Sequence, residues 1–522
     1  MLGRYLLRNW RIVLIFMVGI AVRVLPMLHT EYPLGGGGLF YYIIHYIGEQ
    51  GRLPQEIPYY SCGVPFAYPP LGFIAYAIVF RYTSIPLLAI LKWSPVFLSV
   101  LSLAAFDRLS KCFVDGISRE IALLCFSTMP AIVVHVTASD SIRNLALFLM
   151  LISLASLYRA LSQDKPKHTP MNNSVIAGLC GGLVVLIHPP TALSLSTVMS
   201  LFMAYFIYKN RTKRTQVLRF ALLALSFVVL SAGIWFSVLY YLHGPDFGLL
   251  ITRAFRSRPH KSIWFLTMLR MGATQEPFAD LWAVTGIVGL VYGLVAGNPL
   301  PAFWFLLTPF HWDSQVYHIA LSIGAGLGIG KVIMPAIVQK AGRLRQGLWS
   351  LFFIAIAGYA SLGALTLSIH PDTPIVGRIW GQQGLQSQIT DARLEAWAWI
   401  TDHIPANAQV ILMAEEKEWV PAFAHVCANI SQGAEWIGKF LQYGEMYNHL
   451  MEVSTAEEVF ALLHKYRQRA DYIYLSPQVS PRFRNNMRGN FNLLKKDLDN
   501  QECAQPIFEN TEIILYDVRA CK

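Results

Sequence analysis

Charge is what this chain has least of. Only 14% of its 522 residues are Asp, Glu, Lys or Arg, against about 25% in soluble domains. With 54% hydrophobic residues and a mean hydropathy of +0.43, that shortage excludes a wholly soluble protein and indicates a multi-pass membrane protein. Nucleotide and zincin motifs are missing too: there is no GxxxxGK[ST], no GxGxxG after a strand and no HExxH. The glycine run Gly35 to Gly38 leads into aromatic residues, so it fails as a phosphate loop on context. The seven cysteines lack metal-ligand spacing. No internal repeat is evident, which weakens a repeat-built transporter. The net charge of +11 falls in short clusters rather than along one aromatic-laced face, which argues against nucleic acid.

What is present is a series of apolar runs. A membrane span needs about 20 mostly apolar residues. Candidates are 12–28, 88–107, 119–137, 144–161, 174–188, 191–208, 217–241, 281–297, 299–310, 315–335 and 347–369, roughly eleven spans. The runs 39–47 and 69–80 are too short to cross and read as helices in the outer interface. Basic clusters fall at alternate ends of the spans: Arg4, Arg8 and Arg11; Arg108, Lys111 and Arg119; Arg159, Lys165 and Lys167; Lys209 to Arg219; Lys331 to Arg345. The positive-inside rule then sets the N-terminus in the cytoplasm and the C-terminus outside, in a bacterial inner or plasma membrane. The outer loop 243–280 breaks the rule with Arg253, Arg256, Arg258 and Lys261. A long loop tolerates charge; the same residues would also cradle an anionic lipid head.

The composition changes after the last span. Residues 370–387 form a Pro/Gly linker, and 388–522 alternate helical and strand patterns. DARLEAWAWITDHI reads as an amphipathic helix, and AQVILMA, ADYIYLS and EIILYDV as buried strands. A capping box, Ser454 or Thr455 before Glu457 or Glu458, starts another helix. The expected fold is therefore mostly α: a polytopic helical membrane domain over 1–369, with a first outer loop at 29–87, then the linker, then a small extracytoplasmic α/β domain. Cys62, Cys427, Cys503 and Cys521 would lie outside the membrane, and the last three could form a disulfide, for which the sequence chooses no pair. Cys112, Cys125 and Cys180 read as small core residues.

Chemistry-bearing candidates cluster at the outer ends of spans. Glu31 opens the glycine-rich loop 29–70, where a carboxylate could act as a general base or simply be solvated. Asp140 could face it across a cleft, or could N-cap the following helix. Arg143, one turn on, would pair with Asp140 or hold a phosphate. His188, before two prolines, is a turn residue or a substrate contact. Arg23, inside the first span, is close enough to the outer interface to snorkel.

The segments GGLFYYI at 37–43, PFAYPPLGF at 65–73 and LIHPPTAL at 186–193, with EWVPAF at 418–423 and GAEW at 433–436, resemble those of the GT-C superfamily of polytopic membrane glycosyltransferases. The likeness is to the GT39-related and RgtA/B/C/D-like prokaryotic kind. It implies transfer of a sugar from a polyprenyl-phosphate carrier to a glycan, lipid or protein acceptor on the outer face, with inversion at the sugar carbon. It implies Glu31 and Asp140 as catalytic acids, and Arg143, His188 and Tyr68 as substrate contacts. Arg253, Arg256, Arg258 and Lys261 would bind the lipid phosphate. It leaves the cofactor open between none and a divalent cation. Resembling proteins commonly carry an Asp directly before the Gly-Gly; here that residue is Gly36. Two other readings are therefore carried: an inactive GT-C scaffold for binding or assembly, and a transporter or flippase of lipid-linked sugars.

Overall fold

The computed structural model describes residues 10–129, 132–133, 141–162, 168–248, 277–307, 314–338, 347, 350–352, 354–358, 387–428, 440–476 and 491–521. Helices dominate, in a membrane domain followed by a sheet-containing domain. The first half contains α1 (Trp10–Leu28), α2 (Gly38–Gln50), α3 (Leu71–Tyr82), α4 (Leu87–Ser110), α5 (Gly116–Thr128), α6 (Ser141–Ser162), α7 (His168–Val185) and α8 (Pro189–Lys209). Then come α9 (Arg214–His243), α10 (Pro277–Val295), α11 (Leu300–Leu307) and α12 (Ser314–Leu327), the last running on through a π-helical turn at Gly328–Ile333.

The expected eleven spans reduce, among the described residues, to six helices long and apolar enough to cross a membrane. These are Trp10–Leu28, Leu87–Ser110, Ile142–Ser162, Pro189–Lys209, Arg211–Asp246 and Val316–Ile337. Leu71–Tyr82, Pro170–Val185 and Leu281–Val295 are shorter apolar helices. The span expected at 119–137 is broken early among its described residues, most of 130–137 lying outside them. α5 ends at Thr128 with Met129 extended, because the residue before a proline, here Pro130, is pushed out of the helical region. Most of 347–369 lies outside the described residues.

The bundle is drawn together by close backbone approach and by one buried cation. A Cβ at Gly289 or Gly324 would run into the facing backbone, which is how α10 and α12 cross so tightly. Arg23 does not snorkel. It is fully buried and binds Ser99 of α4, donates to Gly19 O at 2.9 Å and donates to Ser127 O of α5 at 2.8 Å. The cation is held because the interior supplies acceptors on three helices.

Each end of the bundle has its own chemistry. At one end Arg11 meets Glu120 at 3.4 Å, Arg119 forks onto Asp107 at 2.7 and 2.9 Å, and Lys331 meets Asp115 at 3.1 Å. Arg159 also donates to Arg108 O there. The basic clusters singled out in the sequence thus converge. At the opposite end Leu71 N donates to Leu186 O at 3.1 Å and His243 Nε2 to Phe66 O at 2.6 Å.

The C-terminal domain begins with α13 (Asp391–His403), N-capped by Thr390. A two-stranded ribbon, β1 (Glu56–Ile57) with β2 (Val64–Pro65), belongs to the first loop. The main sheet comprises β3 (Gln409–Met413), β4 (Cys427–Ala428), β5 (Tyr472–Leu475), β6 (Gln505–Glu509) and β7 (Ile514–Asp517). Its order is β4-β3-β5-β7-β6. β3 runs parallel to β4 and β5, and β7 antiparallel to β5 and β6. The central strands are apolar on both faces because both are covered. Val410, Leu412, Tyr474 and Leu515 join the core that continues into the membrane domain. Ile411, Met413, Ile473 and Ile514 face a second core. That second core is built with α15 (Phe440–Leu450), α16 (Ala456–Lys465) and α17 (Phe491–Asp499); the short α14 (Val420–Ala424) lies on the first side. The expected strands and helices of this domain are present, but it is packed against the membrane domain rather than appended to it.

The capping box resolves to Thr455 with Glu458. The N–H groups of Ser454 and Thr455 hold the Glu458 carboxyl below its ordinary range. A depressed carboxylate stabilises the fold above its unfolded value and loses that contribution as pH falls through the folded value. Thr455→Ala should cost about 1 kcal/mol. Glu458→Gln should lower the melting temperature at pH 7, with the gap to wild type closing in acid; a gap independent of pH would contradict the cap assignment.

Candidate active site

The glycine run is a packing surface. Gly35 and Gly37 have positive φ, 72° and 152°, and turn the chain into the start of α2. Segment 416–424 of the C-terminal domain then lies against this turn. A Cβ at Gly38 would collide with the backbone of Glu418 and Trp419. A Cβ at Gly36 would stand 2.9 Å from Glu418 Oε2 and 3.0 Å from Oε1. The space that a side chain at position 36 would need therefore holds the Glu418 carboxylate.

Several contacts fix this carboxylate-bearing segment. Trp419 Nε1 donates to Gly35 O at 3.1 Å and the Tyr60 hydroxyl to Glu418 O at 2.7 Å. Tyr41 stacks on Phe423 at 4.8 Å and Tyr59 on His425 at 5.1 Å. Ala428 N donates to Tyr59 O, and Cys62 is disulfide-bonded to Cys427 across 365 residues. Ser61 and Cys62 both take positive φ, 49° and 57°, a strained turn of the kind held only where the surroundings over-determine it. Of the three C-terminal cysteines for which the sequence left the pairing open, Cys503 pairs with Cys521, while Cys427 takes Cys62 of the first loop, a partner the sequence did not single out. Behind the segment, Arg393 of α13 meets Glu512 at 3.0 Å and Glu416 at 3.5 Å, and the Tyr474 hydroxyl donates to Glu416 at 2.9 Å. Burial pushes the Glu416 carboxyl up, and Arg393 opposes that shift.

Glu31 is placed differently. It is exposed, and its backbone carbonyl and that of Thr30 accept from Lys92 Nζ. The next residue, Tyr32, reaches the C-terminal domain by donating to Asp391 at 2.5 Å, which with burial raises its hydroxyl to about 12. Asp140 lies outside the described residues, as do Arg253, Arg256, Arg258 and Lys261.

Tyr68 and His188 do come together, with ring centroids 6.2 Å apart, and Phe40 and Phe73 pack on Tyr68. His188 is buried and caps α8: Nδ1 accepts from Thr191 N at 3.3 Å and lies 2.7 Å from Thr191 Oγ1. An Nδ1 that accepts leaves the neutral ring's proton on Nε2. Arg143 sits on the first turn of α6, half-buried. Its neighbour Ile142 and His188's neighbour Ile187 both press on Gly72 of α3, so Tyr68, Arg143 and His188 come from one locality. Among the described residues no group of His, Cys, Asp or Glu is arranged to hold a metal ion.

Sequence reasoning did not bring Glu418 to the glycine run. EWVPAF was visible as a segment, but no spacing rule joins positions 36 and 418. The available signal was the absence of a side chain at Gly36 together with an unassigned acid in that segment.

The fold has solved counterparts. The oligosaccharyltransferase AglB from Archaeoglobus fulgidus, in complex with an inhibitory peptide and a dolichol-phosphate, superposes with a TM-score of 0.60 at 14% identity, covering 90% of this chain and 70% of that one. ArnT from Cupriavidus metallidurans bound to undecaprenyl phosphate gives 0.56 at 12% identity, with 98% of each chain covered. The arabinofuranosyltransferase AftD from Mycobacteria also gives 0.56 at 12%, over 98% of this chain but 41% of that one. No protein-family model matches, and no curated protein matches. The chain thus has the fold of the GT-C superfamily of membrane glycosyltransferases.

The close approach orders two substitutions. Gly38→Ala must displace backbone, whereas Gly36→Ala displaces the end of a side chain. Gly38→Ala should therefore lower the melting temperature more and leave the Cys62–Cys427 bond more open to reductant. Equal effects would mean that the glycine run is not the seat of the 416–424 segment.

Proposed function

We propose that this chain is a membrane glycosyltransferase that moves a sugar from a polyprenyl-phosphate carrier to an acceptor at the outer face of the membrane. The observation that carries the reading is a GT-C fold whose glycine-rich first loop is covered by an acid-bearing segment of the C-terminal domain. Two structures of that fold were solved with dolichol-phosphate and with undecaprenyl phosphate, which supports a lipid-linked donor here.

Charge and sulfur support the orientation. The end of the bundle rich in Lys and Arg is assigned to the cytoplasm. The two disulfides belong to the opposite end and the C-terminal domain, as an oxidising compartment requires. In this reading a carboxylate serves the acceptor hydroxyl, and Glu31 and Asp140 are the candidates that the sequence offers for it. Tyr68, Arg143 and His188 line the substrate, and Arg253, Arg256, Arg258 and Lys261 hold the carrier phosphate and stabilise it as it leaves. A second reading, an inactive GT-C scaffold, is favoured by the lack of a side chain at Gly36.

The two readings separate in a strain lacking the gene. Loss of a transferase should leave carrier-linked sugar unspent, measurable by mass spectrometry of the lipid fraction, and the wild-type chain should clear it. Glu31→Gln and Asp140→Asn should each slow transfer by about 10²–10⁴-fold. Unchanged transfer in both variants would remove them as catalytic acids, and a wild-type chain with no effect on the pool would leave the scaffold reading. Separately, Arg253→Ala with Arg256→Ala and Arg258→Ala should weaken undecaprenyl phosphate binding by at least about tenfold, a loss of about 1.4 kcal/mol; undiminished binding would rule out the cradle.

A further inference from the structure

We infer that Glu418, delivered by the C-terminal domain, is the carboxylate that takes the proton of the acceptor hydroxyl. The inference rests on the transferase reading above and names the group that carries its central step. Among the carboxylates near the first loop, Glu418 has its main chain fixed from several sides. Its backbone is pressed on Gly38 and its carbonyl accepts from Tyr60. The following residue, Trp419, bonds back to Gly35. The disulfide at Cys427 ties the same segment to the loop from the other side. The Arg393–Glu416–Tyr474 network holds the strand exit just before it. Its carboxylate is half-buried against Gly36, which has no side chain to displace it. A group that must meet a reacting oxygen has to be held to within fractions of an ångström. Glu31, exposed and tied through its main chain only to Lys92, is not held in that way.

The step balances without a co-reactant. The acceptor oxygen forms a bond to the sugar C1 and its proton passes to a Glu418 carboxylate oxygen. The C1–O bond to the carrier phosphate breaks on the opposite side, and its electron pair leaves on the phosphate, giving inversion. Glu31 and Asp140 then act on positioning or on the donor rather than on this proton.

The geometry offers a relocation test. Position 36 and the Glu418 carboxylate share one space, so the acid can be moved from one domain to the other. Four full-length variants are compared with wild type in the deletion strain: Glu418→Gln, Glu418→Ala, Gly36→Asp, and Gly36→Asp combined with Glu418→Ala. Transfer is read as the rate at which pulse-labelled carrier-linked sugar is consumed, and stability as the melting temperature of the purified chain. Glu418→Gln keeps the shape of the side chain, so it should retain the melting temperature while slowing transfer by about 10²–10⁴-fold. Gly36→Asp alone should lose both stability and transfer, because it sets a second carboxylate within contact of the first. The double variant should regain at least tenfold over Glu418→Ala alone. Wild-type transfer in Glu418→Gln would overturn the inference and leave the transferase reading standing. A loss of transfer matched by a loss of melting temperature, with no recovery in the double variant, would overturn it in favour of a purely structural Glu418. Failure of the wild-type chain to consume the sugar would sink the transferase reading, and this inference with it.

Discussion

The arrangement depends on how closely two stretches of main chain can approach. The first turn of α2 and the backbone of Glu418 and Trp419 meet where a single Cβ would keep them apart. Glycine at position 38 is what permits that contact. From it follow the seat of the C-terminal domain, the inward turn of Trp419 and the stacking of Tyr41 on Phe423. The hydrophobic gain is then collected on both sides. One face of the sheet closes onto the membrane domain and the other onto its own helices, so the two domains share apolar burial that neither could complete alone. Tyr60 and Trp419, both buried, carry polar contacts across the seam to Glu418 O and Gly35 O, and there an unmade hydrogen bond is costly.

Much of this architecture was legible in the sequence. The apolar runs, the buried strands of the C-terminal domain and the Thr455 cap follow from local patterns of two, three or four residues. Hydropathy counts apolar residues and ignores geometry, so it did not mark the break at Met129, where Pro130 follows α5 within an apolar run. Arg23 was misplaced for a similar reason. Seen alone, a cation in a span should escape to the interface, yet acceptors on α4 and α5 make burial the lower-energy choice. The site was harder to read. Glu418 and Gly36 are brought together by folding across nearly the whole chain, and Cys62 finds Cys427 by the same long closure. No periodicity encodes such meetings. The glycine run was conspicuous, but its use as a surface for another backbone is invisible without the partner.

The two ends of the bundle solve different electrostatic problems. At the end gathering Arg11, Arg119 and Lys331, acids on α4, α5 and the turn between them answer the cations in pairs. These pairs order helix ends, and each is worth little by itself. At the other end, the described residues meet through aromatic and main-chain contacts. Tyr68, His188, Phe40 and Phe73 form a close-packed floor beneath the loop, and His188 is committed through Nδ1 to holding the start of α8.

The bond between Cys62 and Cys427 also bears on biogenesis. Its first sulfur belongs to a segment made early and its second to one made 365 residues later. The glycine-rich loop must therefore wait, uncovered, through synthesis of every intervening helix. It is finished only when the last domain arrives on the same side of the membrane and the two thiols are oxidised together. A chain stalled, truncated or inserted with its ends on the wrong side would keep Cys62 unpaired and the loop bare. Wherever thiols are kept reduced, the seat of Glu418 would lack its covalent clasp.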